Sequence, residues 1–314
     1  MERLTENKIV LIVRRTRLDD LIVRFNSRDQ ARFYVEHLGA DFSDYALEDT
    51  TYKEARRQAE RRLSQLGRLQ VVERSFVPNF LFGPEDTVVA LGQDGLVANV
   101  LKYLNGQLTI GVNPDPDRWE GVLLPFTVGE LDRLLPEVFD RRRPVARVSM
   151  AKATLNTGET LFGVNDLFIG PKSHTSARYH ISIGERSEDH SSSGIIVSTG
   201  LGSTGWMRSI LAGAVGIASS VTGIKLKAAD KDKKPFEWDA DFLYFSVREP
   251  WPSKTSGAAI TFGQITAAAP LLLMSHMPEN GVIFSDGIET DYIQFNSGTL
   301  ATINVAEKKG MLVK

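Results

Sequence analysis

The sequence has no cysteine, which removes disulfides, thiolate metal centres and cysteine nucleophiles together. Histidine is scarce. The five present (His37, His174, His180, His190 and His276) form no HExxH or other close ligand spacing, so no metal site is expected. An excess of either charge is also missing: 37 Lys+Arg stand against 39 Asp+Glu, a net charge of −2. That balance speaks against a dedicated nucleic-acid binder, which needs a basic surplus to displace counterions, and against a disordered acidic tail. No uninterrupted apolar run approaches the roughly 18 residues of a spanning helix. The opening stretch from Met1 to Glu6 lacks the apolar core of a secretory signal. The expectation is a cytoplasmic protein with neither a nucleic-acid nor a membrane partner.

What is there suffices for a sizeable interior. At about 150 residues per domain the 314 residues suggest two domains, and a 42% apolar fraction fills two ordinary cores. Any chemistry falls to carboxylates, hydroxyls, amides and backbone.

The first half alternates apolar runs with helical periodicity, the pattern of a parallel sheet with crossover helices. Lys8 to Val13, Thr87 to Leu91 and Leu108 to Val112 read as strands. Ser27 with Gln30, Thr51 with Glu54 and Thr127 with Glu130 read as helix-opening capping boxes, and Gly39 and Gly67 as helix ends. Leu96 to Tyr103 reads as a helix. The basic run Arg56 to Arg68 also carries Glu60, so it reads as a solvated helix face. After Arg141-Arg142-Arg143-Pro144 the spacing becomes that of short strands and turns. Ala146 to Leu155, Thr160 to Val164, Tyr179 to Ile183, Ile195 to Ser198, Phe242 to Val247, Ala258 to Phe262, Val282 to Phe284, Tyr292 to Phe295 and Thr299 to Val305 are predicted strands, with a helix over Met207 to Ala218. Gly184 to Ser193 and Lys227 to Lys234 read as mobile loops. The fold class is therefore an α/β Rossmann-like N-terminal domain, residues 1–142, followed by a β-rich, β-sandwich-like C-terminal domain, residues 143–302. The stretch 303–314 is expected to return to the first domain.

Three segments can carry chemistry. Gly92-Gln93-Asp94-Gly95 follows a buried strand and precedes a helix, where open α/β sheets bind ligands. Asp94 there suits a general base for a hydroxyl or a magnesium-linked carboxylate, or equally a turn aspartate that caps the helix. Asn165-Asp166 lies between apolar flanks. The pair can hydrogen-bond ribose hydroxyls or a base edge, and it is also a favoured turn dipeptide. From Ser198 to Trp206 a strand runs into a loop of Thr199, Gly200, Gly202, Ser203, Thr204 and Gly205, which gathers amides and hydroxyls for a phosphate or nucleoside. Its GxGxxG match lacks the dinucleotide context, and no Walker-type GxxxxGK[ST] occurs.

Taken in order, a GxDG turn after a strand, an Asn-acid pair and a VSTxxGST loop resemble the NAD kinase family, and Gly281 to Gly287 resembles that family's closing Asp-Gly segment. The resemblance implies phosphoryl transfer from ATP, or from polyphosphate, to the 2′-hydroxyl of the adenosine ribose of NAD, with Mg²⁺ as cofactor and assembly into dimers or tetramers. It implies a proton-accepting role for Asp94 and phosphate contacts for Gly92 and Gly95. Asn165 and Asp166 would hold the acceptor nucleotide, and Thr199, Gly202, Ser203, Thr204 and Trp206 would line its adenine loop. This chain departs from the pattern at Gln93, Leu96, Asp166, Trp206 and Ser193. A kinase for another hydroxyl acceptor, or a nucleotide-binding module without turnover, are the alternatives.

Overall fold

The computed structural model describes residues 4–226 and 236–314, so the predicted loop over Lys227 to Lys234 lies outside the described residues. Along the chain run β1 (Lys8–Val13), α1 (Arg17–Phe25), α2 (Arg28–His37), α3 (Phe42–Leu66), β2 (Arg68–Glu73), β3 (Thr87–Leu91), α4 (Asp94–Leu101), β4 (Leu108–Asn113), β5 (Phe126–Thr127), α5 (Leu131–Phe139) and β6 (Val145–Val148). There follow β7 (Ala151–Leu155), β8 (Thr160–Gly163), β9 (Asp166–Pro171), β10 (Ala177–Ile183), β11 (Arg186–Ser192), β12 (Ile195–Ser198) and α6 (Trp206–Thr222). The last strands are β13 (Phe242–Val247), β14 (Phe262–Thr266), β15 (Leu271–Ser275), β16 (Gly281–Ser285), β17 (Ile288–Gln294), β18 (Leu300–Val305) and β19 (Gly310–Val313). Two units emerge, Met1–Ala146 with Met311–Lys314, and Arg147–Gly310.

In the first unit seven strands form a sheet of order β2-β1-β3-β4-β19-β6, with β5 beside β4. The pairs β1–β2, β1–β3, β3–β4, β4–β5 and β4–β19 are parallel. β1 and β3 are buried on both faces, as continuous apolar runs covered by helices require. Ser27 caps α2 by accepting from the Gln30 amide at 3.2 Å, and Thr127 with Glu130 forms the capping box ahead of α5. Thr51 and Glu54 do not open a helix. Asp41 caps α3 ten residues upstream by accepting from the Ser43 amide, because the apolar stripe of Phe42, Tyr52, Ala55, Ala59 and Leu63 keeps one continuous helix on the core. The predicted helix from Leu96 starts two residues earlier, at Asp94.

The second unit stacks two six-stranded sheets, ordered β11-β10-β15-β18-β7-β8 and β14-β13-β12-β9-β16-β17. Their inner faces share one core, with Tyr179, Ile181, Leu273 and Ile303 from the first sheet and Leu167, Ile169, Val197, Phe245 and Ile283 from the second. This unit is a β-sandwich. Gly184 to Ser193 is not a mobile loop: β10 and β11 pair over seven residues, from Ala177 with Ser192 to Ile183 with Arg186. Ala258 to Phe262 is not a strand either. β14 begins at Phe262, the first residue able to pair with Ser246 of β13. The stretch predicted as one strand over Ala146 to Leu155 is broken at Ser149 and Met150.

Candidate active site

Asp94 is the first residue of α4, immediately beyond the carboxyl tip of β3. Gln93 adopts φ −113°, ψ 165°, so this extended backbone accepts a side chain where the resembling family has glycine. Asp94 is half-buried, and its carboxylate accepts from the Leu123 backbone amide at 2.6 Å. Gly111 makes this possible. A Cβ on that β4 residue would collide with the Leu123 carbonyl, so only glycine lets the 121–124 segment cross the sheet closely enough to reach Asp94. The Gly92 amide is committed to the Val112 carbonyl at 3.2 Å. Gly95 is exposed, with open space where its Cβ would be.

A cation stands beside this turn. Arg14, just past the tip of β1, packs its Cδ 3.7 Å from where a Gly92 Cβ would lie. Its guanidinium pairs with buried Glu48 at 2.9 Å and lies 4.8 Å from the Tyr52 ring centre. The Tyr52 hydroxyl accepts from the Arg14 amide at 2.8 Å and donates to the Leu91 carbonyl at 3.0 Å, tying the two strand tips together. Sequence reasoning passed over Arg14. The only signal was a basic residue directly after a buried strand. A cavity of about 500 Å³ in this unit is lined by Asp86, Thr87, Gln107 and Leu108 at the amino ends of β3 and β4, the edge opposite Asp94.

In the second unit the structure brings most of the predicted residues together. The Val164–Asn165 bend joins β8 to β9, and Asp166 is the first residue of β9 rather than part of a turn. Thr199, following β12, donates its amide to the Asn165 carbonyl at 3.0 Å and its hydroxyl to the Val164 carbonyl at 2.5 Å. Gly202 lies so close to Asn165 that a Cβ would strike its carbonyl. Gly202→Ala is therefore expected to cost about 2–3 kcal/mol through overpacking, read as a lower urea midpoint. The Ser203 hydroxyl is buried and donates to the Gly200 carbonyl at 2.7 Å. Both hydroxyls thus hold the loop, and Thr204 is the exposed one.

Asp286, in the turn between β16 and β17, clamps the same bend. Its carboxylate accepts from the amides of Val164 at 2.9 Å and Asn165 at 2.6 Å, while its own amide donates to the Asp166 carbonyl at 3.0 Å. Asp286 was legible only as an Asp-Gly turn. Burial pushes the Asp166 carboxyl up to about 7, and the nearby Asp286 charge adds to the rise.

Trp206 stacks parallel to Phe168 with ring centres 6.1 Å apart, and the Arg248 guanidinium lies 5.6 Å from the Trp206 ring centre. These three line a cavity of about 710 Å³ with Phe284, Tyr292, Lys172, His174 and Ser193. Aromatic faces beside cations suit a planar, anionic ligand. Among the described residues no group of three or more acidic or histidine side chains could hold a metal by itself, and no helix is long and apolar enough to cross a membrane.

The fold is similar to that of an NAD kinase from Archaeoglobus fulgidus solved in complex with ATP, at a TM-score of 0.55 and 14% identity over 98% of this chain and 93% of that one. It is also similar to that of yeast NADH kinase complexed with NADH, at a TM-score of 0.57 and 13% identity over 98% of this chain and 84% of that one. No protein-family profile and no curated protein sequence matches the chain.

Proposed function

We propose that the chain is a divergent member of the NAD kinase family, an ATP-dependent phosphotransferase that phosphorylates the 2′-hydroxyl of the adenosine ribose of NAD to give NADP. The observation that carries this reading is the Asp94 carboxylate, fixed by the Leu123 amide at the carboxyl tip of β3, in a chain with the fold of NAD(H) kinases over nearly its whole length. With one carboxylate oxygen anchored, the other is available to take the proton of the attacking hydroxyl. The amino end of α4 and the open backbone at Gly95 offer amides to phosphate oxygens, and Arg14, ion-paired with Glu48, packs beside Gly92 of the same turn. Asn165 and Asp166 hold the acceptor ribose. Trp206 stacks on a base, with Thr204 as the exposed hydroxyl of that loop.

Among the described residues no cluster of acidic or histidine side chains fits a resident Mg²⁺, so the ion would arrive on the triphosphate, held by phosphate oxygens. When bound it neutralises charge on the transferring phosphoryl group. A second reading, a kinase for an anionic hydroxyl acceptor other than NAD, draws on the cavity beside Trp206. Its described lining includes Lys172, His174 and Arg248 and no carboxylate.

The test is NADP formation from ATP, Mg²⁺ and NAD, measured beside ATP consumption. Asp94→Asn is expected to lower the rate about 10²–10⁴-fold with little change in thermal midpoint. ATP consumption only with another hydroxyl compound supports the second reading. Thermal stabilisation by nucleotide without turnover overturns both.

A further inference from the structure

Arg178 of β10 and His276, the residue after β15, stand opposite each other on the outer face of the sandwich's first sheet. The His276 amide donates to the Arg178 carbonyl at 2.9 Å, one step beyond the Tyr179–Ser275 pair. Strand residues alternate between faces, so buried Tyr179 and Ser275 leave Arg178 and His276 on the solvent side. Among the described residues no hydrogen bond or ion pair engages either side chain. Two donor groups side by side with no acceptor between them form an arrangement that an anion completes. The 251–257 loop supplies a wall beside them. Trp251 and Gly257 donate their amides to the Ser191 and Asp189 carbonyls of β11, both at 2.8 Å, which clips the loop to the edge strand at each end. A Cβ on Gly257 would strike the Glu188 carboxylate, so the close seat needs glycine. Within the loop the Ser256 hydroxyl donates to the Trp251 carbonyl at 2.6 Å and lies 2.7 Å from the Ser253 hydroxyl. Covering the edge of β11 accounts for the loop. It does not account for the Trp251 ring, which is 68% exposed and has no ring or hydrogen-bond partner among the described residues.

Loop and strands enclose a cavity of about 500 Å³, whose lining includes Arg178, His276, Trp251, Ser253 and Thr255. We propose that this cavity is a binding site for a sugar phosphate. Arg178 and His276 hold the phosphate, the Trp251 face packs against the sugar ring, and the Ser253 and Thr255 hydroxyls meet the hydroxyls of that ring. Asp189, the carboxylate in the lining, is engaged with His180 Nδ1 at 2.9 Å, so it does not stand free to repel an anion. The balance of the lining selects the sugar. Trp251 is its single apolar side chain; a nucleotide base, apolar on both faces, finds one platform and no second, whereas a hydroxylated ring finds polar partners on its other sides. The cavity lies within the second unit and shares no lining residue with the one beside Trp206. This inference does not depend on the phosphotransferase reading.

The experiment is calorimetric titration of the full chain with glucose 6-phosphate and ribose 5-phosphate, and separately with glucose, orthophosphate and AMP. At least one sugar phosphate is expected to bind more tightly than glucose, orthophosphate and AMP. Arg178→Gln is expected to weaken that binding by about 10- to 100-fold. Trp251→Ala is expected to bring the affinity down toward that of orthophosphate, and in both variants circular dichroism and thermal midpoint stay unchanged. Arg248→Gln, at the other cavity, is expected to leave the affinity as it is. Four outcomes would each overturn the proposal: no binding of either sugar phosphate, orthophosphate bound equally well, AMP bound more tightly, or an affinity that Arg248→Gln lowers and Arg178→Gln does not.

Discussion

Asp286→Ala is expected to lower the stability of the second unit by about 3 kcal/mol and to weaken nucleotide binding at the same time. The substitution strips two close charge-assisted hydrogen bonds from the Val164–Asn165 bend, and bonds of this kind contribute about 1.5–3 kcal/mol each. It also leaves alanine at φ 55°, a left-handed conformation that costs a β-carbon residue about 1 kcal/mol and that Asp and Asn tolerate better. One effect runs the other way. Without the Asp286 charge, Asp166 ionises more readily, which recovers part of the loss. Asp286→Asn keeps the backbone tolerance and loses only the charge, so it is expected to fall between wild type and alanine. Urea unfolding followed by circular dichroism, with nucleotide titrations beside it, checks the order. Equal midpoints for all three proteins would show that the bend does not depend on Asp286.

The second large effect is a dependence on pH centred on Asp166. Its carboxyl titrates near 7 in the folded chain against an ordinary 3.8, because burial penalises the charged form. The folded state therefore holds a proton that the unfolded chain has already released, and the contribution of Asp166 to stability is greatest below about pH 4. That contribution falls as pH rises from there to 7, by up to about 4 kcal/mol, since each tenfold difference in proton affinity between the two states is worth about 1.36 kcal/mol. Asp166→Asn is expected to remove that slope and to leave the protein more stable than wild type at pH 8. If Asp166 holds the acceptor, the same variant binds NAD more weakly despite its greater stability. Unfolding free energies at pH 5 and pH 8 decide the first point, and calorimetric titration decides the second. A wild type whose stability does not change between those pH values would contradict the buried, raised carboxyl.

The strands visible in the sequence were those whose burial left a trace in composition. β1 and β3 are almost unbroken apolar runs because helices cover both faces of their sheet, and β4 is buried from Thr109 onward although Thr109 and Gly111 interrupt its apolar residues. β9 begins with a carboxylate and is also buried on both faces, so it shows no alternation to read. β11 was hidden for the opposite reason: its buried face is polar. His190 and Ser192 point inward, and His190 Nε2 lies 2.7 Å from Glu188 Oε1 while the Tyr179 hydroxyl lies 2.8 Å from Ser192 Oγ. A strand that buries a hydrogen-bonded network in place of aliphatic side chains looks like a loop. Within the candidate site, Asp94 and the Asn165–Asp166 pair stood out by local spacing. Asp286 did not, since its partners lie some 120 residues away in sequence. Nor did the structural duty of Thr199 and Ser203, because a hydroxyl turned onto a neighbouring carbonyl reads the same in sequence as one turned toward a ligand.

The return of β19 to the first sheet, beside β4, reverses the order in which the chain can finish folding. During synthesis the β-sandwich can close before that sheet does, although most of the sheet was made first, because a ribosome must release residues 310–313 before the gap next to β4 is filled. Until then the amino-terminal part of β4, which β5 does not cover, presents an unpaired edge to other nascent chains. A bulky fusion placed directly after Lys314 would prolong that interval, so the amino end is the sounder place for an affinity tag.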